Sequence, residues 1–182
     1  VIAAGEVTNA DSFEDWLGNV LHHGAGWQDA VLLTQALAQD ADHDALDALA
    51  RALAPSAERL QESAEQGAAL ARMVSGLTQR HLEPRMLPIA LGEATAPLAL
   101  APGLVAQLYL QSFAGNLCTI ATRHVPLGQT EGQTVLARLL PEIERLGAQA
   151  ATASLDDLGS CALAADLAAF QHETQDVRIF RT

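Results

Sequence analysis

Along most of the chain, apolar residues return every three or four positions, the period of an amphipathic helix. The clearest stripe is Phe13, Trp16, Leu17, Val20 and Leu21, with Asp11 or Ser12 placed to cap it and Gly24-Ala25-Gly26 placed to end it. A second helix is expected over about Gln28 to Gln39, burying Val31, Leu32, Leu33 and Leu37. Asp42 opens a third, with Leu46, Leu49 and Leu53 along one side and Pro55 as its stop. Ser56 caps a fourth, about Ala57 to Leu77, whose stripe reads Leu60, Ala64, Gly67, Ala68, Ala71 and Val74. On that helix Ser63, Gly67 and Ala71 stand four apart, a small-residue face that lets a second helix come close, in the core or between two copies of the chain.

Pro84, Pro88, Pro97 and Pro102 then punctuate the sequence and cut out a short helix, about Pro88 to Ala96. The stretch after Pro102 organises the rest of the chain. From Leu104 to Thr122 no residue carries a formal charge. Leu104, Leu108, Tyr109, Ser112, Gly115, Asn116 and Thr119 recur at helical spacing, while Leu110, Phe113, Leu117 and Ile120 cover the other sides. A helix apolar nearly all round belongs in a core or a membrane. Its length would allow a span, but Gln107, Gln111, Ser112 and Asn116 are costly in hydrocarbon. The pattern therefore predicts a long central core helix. Thr130 with Gln133 has the form of a capping box before another helix, to about Gln149, that carries Val135, Leu136, Leu139, Leu140 and Ile143 and is kinked at Pro141. Ser154 with Asp157 marks one more helix start.

Composition agrees with these patterns. Hydrophobic residues make up 49% and aromatics only 4%, so Ala and Leu carry the apolar content, and both favour helix. The expectation is an all-α fold, a single-domain helical bundle over residues 1–169 around one long central apolar helix, with residues 170–182 as a C-terminal docking tail. The net charge of −12, with every one of the ten basic residues an Arg, argues against nucleic acid as a partner. It suits a soluble protein or one that meets a basic partner. VIAAGEV has neither the basic region nor the apolar run of a signal peptide, and Cys118 and Cys161 form no CxxC, so a reducing cytoplasm is expected.

Motifs for catalysis are missing. No GxxxxGK[ST], GxGxxG or GxSxG occurs. Possible metal ligands are His22, His23, His43, His81, His124, His172, Cys118 and Cys161, but none shows an i, i+4 or CxxC spacing, and His22 and His23 point about 100° apart on a helix. Neither a cofactor nor a tight metal site is expected. His124 and the pair His172-Glu173 are the best acid–base candidates; His124 also fits a partner of the helix C-terminus. Arg123 fits there too, with Pro126-Leu127-Gly128 turning the chain. The tail places Phe170, Ile179 and Phe180 beside Arg178 and Arg181 on a terminal segment, a composition that suits either docking on a partner or folding back on its own domain.

RHVPLGQTEGQ at Arg123 to Gln133, LDDLGS at Leu155 to Ser160 and HETQDVRIFRT at His172 to Thr182 resemble the urease accessory protein F family. DSFEDWL near the start and QESAEQGAALARM at Gln61 to Met73 are weaker matches. The resemblance extends over nearly the whole chain; family members also carry an N-terminal segment with a His-Ser…Gly-Leu-Glu motif, ahead of the position of Val1.

That resemblance implies a non-enzymatic all-α chaperone, a homodimer that binds urease accessory protein D (also called H). It would then recruit the nickel-carrying GTPase, accessory protein G, for nickel insertion into apo-urease. In this reading the tail orders against protein D through Phe170, His172, Glu173, Thr174, Arg178, Ile179, Phe180 and Arg181. Arg178 would help present the surface that recruits the GTPase, and Arg123 and Gln129 would support that surface or the central helix. Two alternatives stand beside this scaffold: a regulator that inserts an Arg into the GTPase site as a finger, and a direct nickel carrier.

Overall fold

The computed structural model describes residues 7–159. Every regular element among them is helical: α1 (Ala10–His23), α2 (Ala25–Ala36), α3 (His43–Ala52), α4 (Ala57–Thr78), α5 (Leu87–Thr95), α6 (Pro102–His124) and α7 (Gln129–Ala150). Short 3-10 turns occupy Ala96–Leu98 and Leu155–Asp157. The fold is all-α. The described residues form two compact units, one of residues 7–31 with 101–159 and one of residues 32–100. The boundary expected at residue 169 lies outside the described residues.

The first unit is built on α6 and α7, which pack along their length in opposite directions. Glycines at both ends of α7 permit this. A Cβ on Gly147 would come 2.7 Å from the Gly103 carbonyl oxygen and 2.9 Å from the Gln107 nitrogen. One on Gly132 would come 2.9 Å from Thr122 Cγ2. Between them Val135, Leu139, Ile143 and Leu146 are buried on α7, as are Val105, Ala106, Leu110, Ala114, Cys118 and Ala121 on α6. From α2, the buried carboxylate of Asp29 accepts a hydrogen bond from the Tyr109 hydroxyl, and the Trp27 indole N–H donates to the Asp157 carbonyl at 3.0 Å.

Here α6 departs from the sequence expectation. It is not covered on all sides. Leu104, Leu108, Gln111, Ser112, Asn116, Thr119 and Arg123 are exposed or partly so, and they share one face at helical spacing. The polar residues that argued against a membrane are thus largely the solvated face of an amphipathic helix whose polar side happens to lack charge. No described helix is long and apolar enough to cross a membrane.

Helix starts also shift. Asn9, not Asp11 or Ser12, caps α1; its side-chain oxygen accepts the Ser12 N–H at 2.9 Å while Ser12 Oγ accepts the Asn9 N–H at 3.1 Å. Ser12 is the third helical residue of a reciprocal capping box, so the sequence cue is right in kind and displaced by three residues. Gly24-Ala25-Gly26 is not a loop, since only Gly24 interrupts the helices. Gly26 instead faces α1, where a Cβ would come 2.7 Å from Leu21 Cα. At the α1–α7 seam Arg138 pairs with Glu14 at 3.1 Å, and His22 bonds Glu142, which also takes a hydrogen bond from Arg145.

In the second unit Asp42 and Ser56 cap α3 and α4 as the sequence indicates. The small-residue face of α4 lies inside this unit: Ser63, Gly67 and Ala71 are buried, and Ser63 Oγ accepts the Leu87 N–H at 3.2 Å. A Cβ on Gly67 would come 1.9 Å from the Arg85 carbonyl oxygen, which leaves no room for a methyl group. Two arginines hold the segment between α4 and α5. Arg80 donates to the Glu93 and Ala94 carbonyls at the end of α5, where unpaired helix carbonyls need donors. Arg85 bridges Glu93 at 2.8 Å and Asp44 of α3 at 2.7 Å.

The packing around α4 makes two glycines respond in opposite ways to the same substitution. Gly67→Ala forces backbone apart and should cost about 1–3 kcal/mol or more. Gly76→Ala, with nothing within 4 Å of the new methyl, should gain about 0.5–1 kcal/mol. Urea denaturation of both variants checks the pair; equal effects would mean the approach at Gly67 is not close.

The seam predicts a pH dependence. Burial outweighs the attraction of Glu142 and holds His22 below its ordinary 6.5, while the Arg145 hydrogen bond keeps Glu142 ionised. Below 6.5 the unfolded chain takes the His22 proton first, so this contribution is full above that pH and is lost as pH falls. His22→Gln should flatten the urea midpoint between about pH 7.5 and 5.5. A slope unchanged from the parent would exclude His22 as its source.

Candidate partner-binding surface

The outer face of α6 and the corner that joins it to α7 form an open surface of the first unit. Pro102 starts α6 where a missing N–H costs nothing. The helix ends at Val125, whose N–H bonds the Ala121 carbonyl at 2.8 Å. Val125 and Leu127 are buried and anchor the corner, while Pro126 and Gly128 between and after them are exposed. Glu131 then reaches back from the first turn of α7, and its carboxylate accepts the Gly128 N–H at 2.7 Å. The helix therefore starts at Gln129, with Gly128 as its cap, and not at the expected Thr130–Gln133 box. Glycine has no side chain to return a hydrogen bond, so only the Glu131 half of a capping box forms.

Arg123 projects from the last turn of α6 and is exposed. Most described arginines are tied down: Arg51, Arg59, Arg85, Arg138 and Arg145 in ion pairs and Arg80 on carbonyls. Arg123 has no such bond among the described residues, and no formal charge stands between it and Glu93. Gln129 is exposed as well, but its amide donates to Thr122 Oγ1 at 3.3 Å. These two sequence candidates thus lie on one corner. Gln111, Ser112, Asn116 and Thr119 extend the same open face, where the sequence had suggested polar residues inside a core helix. Their helical spacing with Arg123 was the available signal. Nothing in the sequence singled out Glu131.

The other candidates fall elsewhere. Phe170, His172, Glu173, Thr174, Arg178, Ile179, Phe180 and Arg181 lie outside the described residues, as does Cys161. Ser63, Gly67 and Ala71 belong to the second unit's interior. The rings of His22 and His23 are 5.6 Å apart and tilted by 40°, and His22 is engaged with Glu142. No group of three or more His, Cys, Asp or Glu side chains among the described residues is placed to hold a metal ion. Cys118 is buried, and burial pushes its thiol up to about 11, so it packs as a small hydrophobe and is a poor ligand or nucleophile at neutral pH.

An exposed, charge-poor helix face leading to an exposed Arg is suited to binding, and comparison with known proteins supplies the context. The family model for UreF matches residues 7–140. The chain belongs to the UreF family of urease accessory proteins. A urease accessory protein UreF from Cereibacter sphaeroides (strain KD131) is 57% identical over 181 residues, spanning 100% of this chain and 86% of that protein. The UreF of Paracoccus denitrificans is 49% identical over 98% of this chain and 82% of its own length. That of Roseobacter denitrificans is 42% identical over 100% of this chain and 82% of its own length. Membership in the UreF family assigns an accessory role in urease maturation. The α6–α7 corner falls within the matched residues.

Burial of Cys118 gives a direct check on the packing behind this face. In a Cys161→Ser chain, iodoacetamide should leave the native protein unmodified and label it once urea has unfolded it. Rapid labelling of the native chain would contradict a closed α6–α7 interior.

Proposed function

We propose that this chain is a catalytically inert scaffold that works by binding. It docks accessory protein D, recruits the nickel GTPase accessory protein G, and so enables GTP-dependent nickel insertion into apo-urease, as a homodimer in the cytoplasm. The observation that carries this reading is the open face of α6. It offers Gln111, Ser112, Asn116 and Thr119 for hydrogen bonding and ends at Arg123, an exposed cation on a chain of net charge −12. Such a face gives a protein partner specificity without the self-repulsion of another acidic patch. The UreF family assignment supports the same reading. The tail, with Arg178, Ile179 and Phe180, is the proposed docking element for protein D.

The tail is tested by co-expressing protein D with the full-length chain and with a chain truncated after Ala169, followed by size exclusion. Co-elution of the full-length chain alone is the expected outcome. Equal binding by both would move the protein D contact to the helical faces. Arg178→Lys separates a scaffold from an arginine finger: charge survives in Lys, but the planar two-pronged contact does not. The scaffold reading expects GTP hydrolysis by the assembled complex to be nearly unchanged, and a collapse of the rate would favour the finger.

A further inference from the structure

Arg123 is useful to a partner only if it is held in place, and the corner supplies the means. Thr122, its neighbour, is gripped from α7 twice. The Gln129 amide donates to Thr122 Oγ1, and Gly132 leaves just enough space for Thr122 Cγ2. Thr122 Oγ1 in turn donates to the Thr119 carbonyl at 2.9 Å, tying this contact into the last turn of α6. The chain between the helices is equally constrained. Leu127 N–H bonds the Val125 carbonyl at 2.7 Å, both side chains are buried, and Glu131 accepts the Gly128 N–H. Glu131 is itself exposed, and it sits where the positive end of the α7 dipole favours a carboxylate.

We propose that Glu131 is a positioning residue for partner recruitment. By closing the α6–α7 corner, with Gln129 on Thr122 as the second clasp, it fixes the last turn of α6 and aims Arg123 at an acidic group on the recruited protein. The inference rests on the scaffold reading above. Fixing the corner beforehand reduces the ordering that binding would otherwise require.

The test uses the full chain with protein D as the immobilised complex and accessory protein G as the probe. It compares Arg123→Ala, Glu131→Ala and Glu131→Gln by biolayer interferometry across a salt series, well below the melting temperature of each variant. Both Glu131 variants remove the same charge, and only Gln keeps an acceptor for the Gly128 N–H. Arg123→Ala should weaken binding roughly tenfold and reduce its salt dependence. Glu131→Ala should weaken it by a smaller factor, on the order of threefold to tenfold, with the parent's salt dependence kept because Arg123 is still present. Glu131→Gln should bind like the parent. If Arg123→Ala weakens binding and Glu131→Ala does not, or if Gln fails to rescue, the positioning role is overturned while the scaffold reading stands. If Arg123→Ala binds like the parent, the reading of Arg123 as a contact fails, and the positioning role with it.

Discussion

The close approach of α6 and α7 is the constraint on which the first unit depends. Two helices can come this close only where side chains are absent: Gly103 and Gly147 let the backbones touch at one end of the pair, and Gly132 makes room for the Thr122 methyl at the other. The approach has two consequences. It buries the side of α6 that carries Ala106, Leu110, Ala114, Cys118 and Ala121, and it brings the end of α6 within reach of the first turn of α7. Along the outer side of α6, Leu104, Leu108, Gln111, Ser112, Asn116, Thr119 and Arg123 are left exposed. Close packing within the unit therefore dictates which residues are available outside it.

Charge placement has a complementary logic. Several acidic side chains are committed to local tasks: Asp42 caps α3, Asp47 accepts the Met86 N–H, Glu93 and Asp44 hold Arg85, and Glu14 and Glu142 engage Arg138 and Arg145. The exposed ion pairs among these contribute little stability each, while the Arg85–Glu93 pair is largely enclosed. Their consistent effect is to fix geometry and occupy cations. Arg123, like the exposed Arg72, has no such bond among the described residues, and it differs in standing at the end of a charge-free face. It is the kind of group a binding protein would keep for a partner.

Much of this was legible in the sequence, and the failures have physical causes. Caps were readable where one side chain acts alone, as at Asp42 and Ser56. They were misplaced where two residues share the task, as with Asn9 and Ser12 or Gly128 and Glu131, because the sequence does not say which member of a reciprocal pair stands outside the helix. The face of Ser63, Gly67 and Ala71 was visible as a site of close approach, but Ser63 and Gly67 meet the chain entering α5, Arg85 to Leu87, which no periodic pattern reveals. The largest difference concerns α6. Absence of charge points to burial only when polar neutral residues are absent too, and Gln, Ser, Asn and Thr at helical spacing solvate a face well enough. Arg123 and Gln129 stood out in the motif, while the Glu131 hydrogen bond and the Gln129 contact that shape the corner needed coordinates.

That this chain acts in urease maturation by presenting the outer face of α6 is tested most directly by hydrogen–deuterium exchange mass spectrometry. The chain would be followed alone, with accessory protein D, and with D and the GTPase together. Peptides spanning Gln111 to Gln129 are expected to gain protection when the GTPase joins, while α4 peptides around Gly67 stay unchanged. Protection that never reaches α6 in the complete assembly would contradict this role and place the working surface elsewhere on the chain.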